Sequence, residues 1–219
     1  MITDKSLILN NMDFSHAFEN NERWVRQKLN LDDNYFRELA RGQKPDLLYI
    51  GCSDSRVTPE LIMSAEPGDI FVHRNMANII PNDDLNALSV IDYAVNHLEV
   101  GHIVVCGHYG CGGVKAAMQT DDLDMLNPWL KHVRDVYRVH KDELTNITDE
   151  NDRYKRLVEL NVYEQCANLL KMPKVQRARK EWQLNLHGWV FDLHSGRLID
   201  LDFDMDALWD ELKSIYSLS

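Results

Sequence analysis

The chain has 219 residues, 44% hydrophobic and 27% charged, with a formal net charge of −11. That length can bury a sizeable core as one α/β domain, and the acidic balance argues against nucleic acid or an anionic membrane surface as a partner. No run approaches the ~20 apolar residues of a membrane span, and the N-terminal stretch has no basic segment ahead of an apolar one, so a cytoplasmic protein is expected.

Residues 1–42 read as helical. Trp24, Val25, Leu29, Phe36, Leu39 and Ala40 recur at helical spacing, with a break near Leu31-Asp32-Asp33. Pro45 closes this stretch, and Leu47-Leu48-Tyr49-Ile50-Gly51-Cys52 follows as a continuous apolar run. Such a run fits a strand buried on both faces of a parallel sheet. Asp69-Ile70-Phe71-Val72-His73 is a second strand, entered from the turn Glu66-Pro67-Gly68. Asp83 or Asp84 then caps a helix with Leu85, Leu88, Ile91, Val95 and Leu98 on one face.

His102-Ile103-Val104-Val105-Cys106-Gly107 is a third buried strand, and a helix is expected from about Val114. This alternation predicts a mostly parallel sheet with right-handed crossovers, flanked by helices. Two further helices are marked by Leu126, Trp129, Leu130, Val133 and Tyr137, and by Leu157, Leu160, Cys166, Leu169 and Leu170. Late strands are expected over 184–191 and 198–201 around the turn His194-Ser195-Gly196, and Leu208, Leu212 and Ile215 suggest a closing helix. No repeat or linker interrupts the composition. The chain is therefore read as a single domain: a helical segment over 1–42, a core over 43–201 and a C-terminal helix over 202–219.

The four cysteines are Cys52, Cys106, Cys111 and Cys166. In a chain without a secretory signature, metal or catalytic use is a better expectation than a disulfide framework. Gly51-Cys52-Ser53-Asp54-Ser55-Arg56 and Gly107-His108-Tyr109-Gly110-Cys111-Gly112-Gly113 each follow a predicted buried strand, where open α/β sheets place ligand sites. Two thiolates and an imidazole suit zinc, and three protein ligands leave the fourth position open, as in catalytic sites. The glycine-rich segment lacks the Lys-Ser/Thr of a phosphate loop and the spacing of a dinucleotide fingerprint. Cys106 and Cys166 read as packing residues. His16, His97, His102, His132, His140, His187 and His194 have no metal partner at useful spacing and read as structural or exposed.

Cys52-Ser53-Asp54-Ser55-Arg56 combined with His108-x-x-Cys111-Gly112-Gly113 resembles the β-class carbonic anhydrases. The segment from Glu66 to Asn78, Tyr93-Ala94-Val95 and His187-Gly188-Trp189 extend the likeness over about residues 43–201. The resemblance implies one zinc ion per subunit and reversible hydration of carbon dioxide to bicarbonate and a proton, by attack of zinc-bound hydroxide. It also implies a homodimer, often paired into a dimer of dimers, with active sites at the subunit interface and the N-terminal arm packed on a partner subunit. A small-molecule substrate is expected, with neither nucleic acid nor membrane as partner.

Asp54 has three roles open to it: a fourth zinc ligand in a closed state, a hydrogen-bond acceptor beside the metal, or a turn cap. The resemblance supports an Asp54–Arg56 dyad, in which Arg56 holds the carboxylate ionised and away from the metal. By position, Gln43, Phe71, Met76 and Tyr93 match the family's substrate-lining residues, Gln43 as a donor to a substrate oxygen. Met76 stands where many relatives carry Val. No proton shuttle stands out. Some bacterial members bind inhibitory bicarbonate through a Trp, an Arg and a Tyr. Here Tyr49 and Phe191 occupy the Trp and Tyr positions and only Arg74 matches, so that site is expected to be absent or crippled. Alternatives with the same residues are hydrolysis of carbon disulfide or carbonyl sulfide, and an inactive zinc-binding relative. A thiol redox protein is disfavoured by the absence of Cys-x-x-Cys.

Overall fold

The computed structural model describes residues 14–217. The chain divides into two compact units, Met1–Gln43 and Lys44–Ser219. In the first, a 3-10 turn at Phe14–His16 leads into helix α1 (Ala17–Leu31), and helix α2 (Tyr35–Leu39) follows. The expected break is real: Asp32 is extended, and its Oδ1 accepts from the Asn34 amide at 2.8 Å. Trp24, Tyr35 and Phe36 meet edge to face across that bend, with Trp24 and Phe36 centroids 5.4 Å apart. Among the described residues of this unit none is buried.

The second unit is built on a five-stranded sheet in the order β2-β1-β3-β4-β5. The strands are β1 (Leu47–Cys52), β2 (Ile70–Asn75), β3 (His102–His108), β4 (Asn185–Asp192) and β5 (Arg197–Asp200). The first four run parallel, and β5 pairs antiparallel with β4. The chain steps from β1 to one side for β2 and to the other for β3, so the carboxyl ends of β1 and β3 flank the point where strand order reverses. That crevice is the general ligand position of open α/β sheets.

Helices α3 (Pro59–Ile62), α4 (Leu85–Asn96), α5 (Gly112–Ala117), α6 (Asn127–Val139), α7 (Lys141–Asn146), α8 (Glu150–Leu170), α9 (Pro173–Glu181) and α10 (Met205–Tyr216) complete the unit. Asp84, Asp149 and Asp204 cap α4, α8 and α10 by accepting from first-turn amides. The main core joins Leu48, Ile50, Ile103, Val105, Leu186 and Val190 from one sheet face to the buried sides of α4, α6, α8 and α9. A smaller cluster of Tyr49, Val57, Val104, Cys106 and Phe191 lies on the other face.

Helix α8 packs closely on β3 because residue 107 has no side chain. A Cβ at Gly107 would stand 2.8 Å from Val162 Cγ2 and 3.2 Å from Val158 Cγ1. Helix α4 buries its expected face at Ile91 and Val95, with Leu88 and Leu98 packed against the core, but not at Leu85. Leu85 is 80% exposed, while Ala87, Ile91, Ala94 and Val95 are buried. The two alanines bring the helix backbone close to its neighbours, a contact that a pattern of large apolar residues does not mark. Among the described residues, no helix is long and apolar enough to cross a membrane.

Candidate metal centre

Cys52 is the last residue of β1 and His108 the last of β3. Pairing of Gly51 with Cys106 sets these two strand ends side by side. Gly110 turns the chain in the left-handed region, with φ +83°, and returns Cys111 to the same crevice ahead of α5. The ligand atoms of Cys52, His108 and Cys111 lie within 4.8 Å of one another, and all three residues are buried. The two sulfurs are 3.9 Å apart, too far for a disulfide. The separation instead matches the edge of about 3.8 Å that a tetrahedral zinc with bonds of about 2.3 Å to sulfur requires.

The imidazole is prepared for the same task. His108 Nδ1 donates to the Tyr109 carbonyl at 3.3 Å, which leaves the lone pair on Nε2. Nε2 is buried without a hydrogen-bond partner. An orphaned buried nitrogen is costly, and here it faces two sulfurs with metal-ligand chemistry; the donor set therefore fits zinc.

Backbone N–H groups of Ala77 and Asp54 are aimed at Cys52, and those of Gly113 and Val114 at Cys111. Such donors favour thiolates. The hydrogen bond from Cys111 is the largest influence on Cys52 and, with His108 and the backbone amides, holds its thiol below the ordinary value against the effect of burial. The same bond, together with burial, pushes Cys111 up. Ala77 reaches its position only at φ 63°, a strained conformation for alanine. Asn161 of α8 holds it there by donating to its carbonyl at 2.9 Å.

At the mouth of the crevice Arg56 grips Asp54. Its Nε donates to Oδ1 at 2.9 Å, its Nη2 to Oδ2 at 2.7 Å, and its backbone amide to Oδ1 at 3.0 Å. This guanidinium holds the carboxyl well below the usual carboxylate range. Asp54 Oδ2 stands 3.8 Å from His108 Nε2. Arg74, at the end of β2, donates to the carbonyls of Cys52 and Asp54 at 2.8 and 2.6 Å and so fixes the first loop. A cavity of about 280 Å³ opens here, lined by Cys52, Asp54, Met76, Gly113 and Leu126 among others.

A comparison with family descriptions matches residues 47–198 to carbonic anhydrase. The chain belongs to the β-carbonic anhydrase family. A carbonic anhydrase of Emericella nidulans is 48% identical over 220 residues, covering 99% of this chain and 96% of that one. The β-carbonic anhydrase CafA of Aspergillus fumigatus superposes with a TM-score of 0.87 at 39% identity, over 94% of this chain and 99% of that one. One of two tetrameric β-carbonic anhydrases of Sordaria macrospora gives 0.84 at 41% identity, over 87% and 97%. This family of lyases accounts for the pairing of an open α/β sheet with a Cys-His-Cys centre.

Not every residue expected at a β-carbonic anhydrase site gathers at the crevice. Cys52, Asp54, Arg56, Met76, His108 and Cys111 do. Phe71 and Tyr93 do not: their rings pack on each other, centroids 5.7 Å apart, on β2 and α4. Phe71 pairs with Leu48, four residues before Cys52, which is about 13 Å back along the strand. Gln43 is exposed at the end of the first unit. Cys106 and Cys166 are fully buried away from the centre, in packing roles.

Sequence reasoning did not assign Arg74, Ala77, Trp129, Tyr154 or Asn161 to this site. Trp129 Nε1 donates to the Met76 carbonyl at 2.8 Å, and Tyr154 Oη to the Cys111 carbonyl at 2.7 Å. Only Arg74 carried a local signal toward the crevice, a charge at the carboxyl end of a strand. The others act through contacts 43 to 84 residues away in sequence.

Proposed function

We propose that the protein is a zinc-dependent carbonic anhydrase, interconverting carbon dioxide and bicarbonate with one zinc ion per chain held by Cys52, His108 and Cys111. The observation that carries this reading is the buried, unpartnered Nε2 of His108 facing two sulfurs 3.9 Å apart. When bound, zinc supplies Lewis acidity that makes water a nucleophile near neutral pH.

The chain's own residues then divide the work. His108 is oriented by its bond to the Tyr109 carbonyl, and the two sulfurs by the four backbone amides aimed at them. Asp54, kept ionised by Arg56, accepts a hydrogen bond from the attacking water and points its lone pair at the substrate carbon. Met76 and Leu126 give the cavity an apolar wall suited to a small apolar gas. If Arg56 releases it, Asp54 is the group nearest to becoming a fourth ligand and closing the site. Gln43, Phe71 and Tyr93 are proposed as substrate-lining residues. The Phe71–Tyr93 pair, with Tyr93 exposed and Phe71 half-buried, is remote from its own chain's cysteines and supports a homo-oligomer in which one copy completes the pocket of another. The tetrameric state of the Sordaria macrospora relatives supports the same assembly.

The deciding experiment is stopped-flow hydration of carbon dioxide alongside metal analysis, on the wild type and Cys111→Ser. The wild type is expected to carry one zinc per chain and to hydrate carbon dioxide, and the variant to do neither. A zinc-loaded wild type that does not hydrate carbon dioxide at alkaline pH would overturn the reading. Parallel assays with carbon disulfide and carbonyl sulfide separate the hydrolase alternative.

A further inference from the structure

We infer that Tyr154 is a positioning residue for the metal centre: its hydroxyl clamps the Cys111 carbonyl and so sets where the Cys111 sulfur points. The inference rests on the metal-centre reading above.

The loop that carries Cys111 has little stiffness of its own, because residues 110, 112 and 113 are all glycine. Its rigidity must come from outside. Helix α8 provides it at the two residues of the loop that have side chains. Tyr109 Oη donates to Glu159 Oε1 at 2.7 Å, and Arg156 bridges Glu159 to Glu143 at 2.8 and 2.6 Å. Tyr154 Oη donates to the Cys111 carbonyl at 2.7 Å. That carbonyl also accepts from the Lys115 amide at 3.0 Å, so both its lone pairs are used.

The two anchor points on α8, residues 154 and 159, are about 7.5 Å apart along the helix axis. They grip the loop on either side of Gly110. The same helix holds Ala77 through Asn161, and Ile80 through Gln165 at 2.8 Å. Two of the three segments that carry a ligand sulfur or aim amides at one, those around Ala77 and Cys111, are thus referenced to one rigid element. Tyr154 is not simply a space-filling core residue. It also forms part of the wall of a cavity of about 600 Å³ with Lys115, Tyr137 and Arg153. Its specific contribution is therefore the hydroxyl.

The test titrates metal-free wild type, Tyr154→Phe and Tyr137→Phe with Co2+ against a chelator of known affinity, recording the thiolate-to-cobalt absorption. Tyr137 lines the same cavity but does not bond the loop, so it controls for packing. Tyr154→Phe keeps the ring. It is expected to weaken binding by about 10-fold and to shift the absorption, as loss of a group that orients a metal ligand does; Tyr137→Phe is expected to match the wild type. Wild-type affinity and spectrum in Tyr154→Phe would overturn the inference. Equal losses in both variants would also overturn it, assigning the effect to the cavity wall. A wild type that binds cobalt without thiolate absorption would overturn the metal-centre reading itself, and this inference with it.

Discussion

Arg56 and Asp54 form a two-pronged ion pair, 2.9 Å from Nε to Oδ1 and 2.7 Å from Nη2 to Oδ2, with Oδ2 only 3.8 Å from His108 Nε2. In the function proposed above, this pair separates a carboxylate that serves the reaction from one that would block it. Arg56→Lys keeps the charge but not the fork. It is expected to lower kcat/KM by about 100-fold, within the range for a displaced proton acceptor, with little change in melting temperature because Arg56 is largely exposed. Steady-state hydration kinetics and a thermal melt check both halves.

Metal removal is expected to destabilise as well as inactivate. An ion present at about 1,000 times its dissociation constant stabilises the folded state by about 4 kcal/mol. For a chain of this size that corresponds to roughly 10 °C in Tm. Calorimetry before and after dialysis against a chelator measures it, and Cys52→Ser is expected to melt where the metal-free wild type does.

The contact of β3 with α8 is expected to tolerate no side chain at position 107. Gly107→Ala places a methyl 2.8 Å from the stiff, buried Val162 side chain. Overpacking of this kind costs about 1–3 kcal/mol. Since His108 is the next residue, the metal affinity of this variant is expected to fall with its stability. Adding Val162→Ala is expected to recover part of the loss, as read from urea midpoints.

Stability is expected to depend on pH through His73. Burial holds its imidazole below the ordinary value. Asn75 Nδ2 lies 3.1 Å from His73 Nε2, and both ends of that amide are fixed by the Ile79 backbone, so Nε2 must accept. The folded state binds fewer protons here than the unfolded chain. This contribution is therefore complete above the unfolded pKa of about 6.5 and is lost as pH falls through and below it. Urea midpoints are expected to be flat from about pH 7 to 8 and to drop toward about pH 5.5, with a shallower drop in His73→Gln.

Bicarbonate is expected to act only as product. Tyr49 is buried with its hydroxyl unpartnered, Phe191 offers no donor, and Arg74 is engaged with the Cys52 and Asp54 carbonyls. Simple product inhibition, without cooperativity, is the expected result of hydration assays over a bicarbonate series.

Much of the fold was legible because its elements are long and periodic. The apolar runs 47–52 and 102–107 announced β1 and β3, and Asp83 or Asp84 announced the start of α4, which Asp84 caps. Helices α3, α7 and α9 were not foreseen: four or six residues display no period, and α9 buries only Val175, Gln176 and Ala178 in an otherwise charged stretch. The buried face of α4 was misread at Leu85, because Ala87 and Ala94 do the packing there.

At the site, residue type and strand-end position were enough to name Cys52, His108 and Cys111, since few other chemistries use two thiols and an imidazole after two buried strands. The Asp54–Arg56 pair was legible through the family resemblance, with Arg56 two residues on and able to hold the carboxylate, and the structure shows that ion pair. Only the tertiary structure decided the rest. Parallel register, set by pairing between strands far apart in sequence, put Phe71 about 13 Å from the cysteine end of β1. Packing of α8 on β3 brought Tyr154 onto a carbonyl 43 residues earlier. Such contacts depend on how whole elements dock, and no local pattern of residues encodes them.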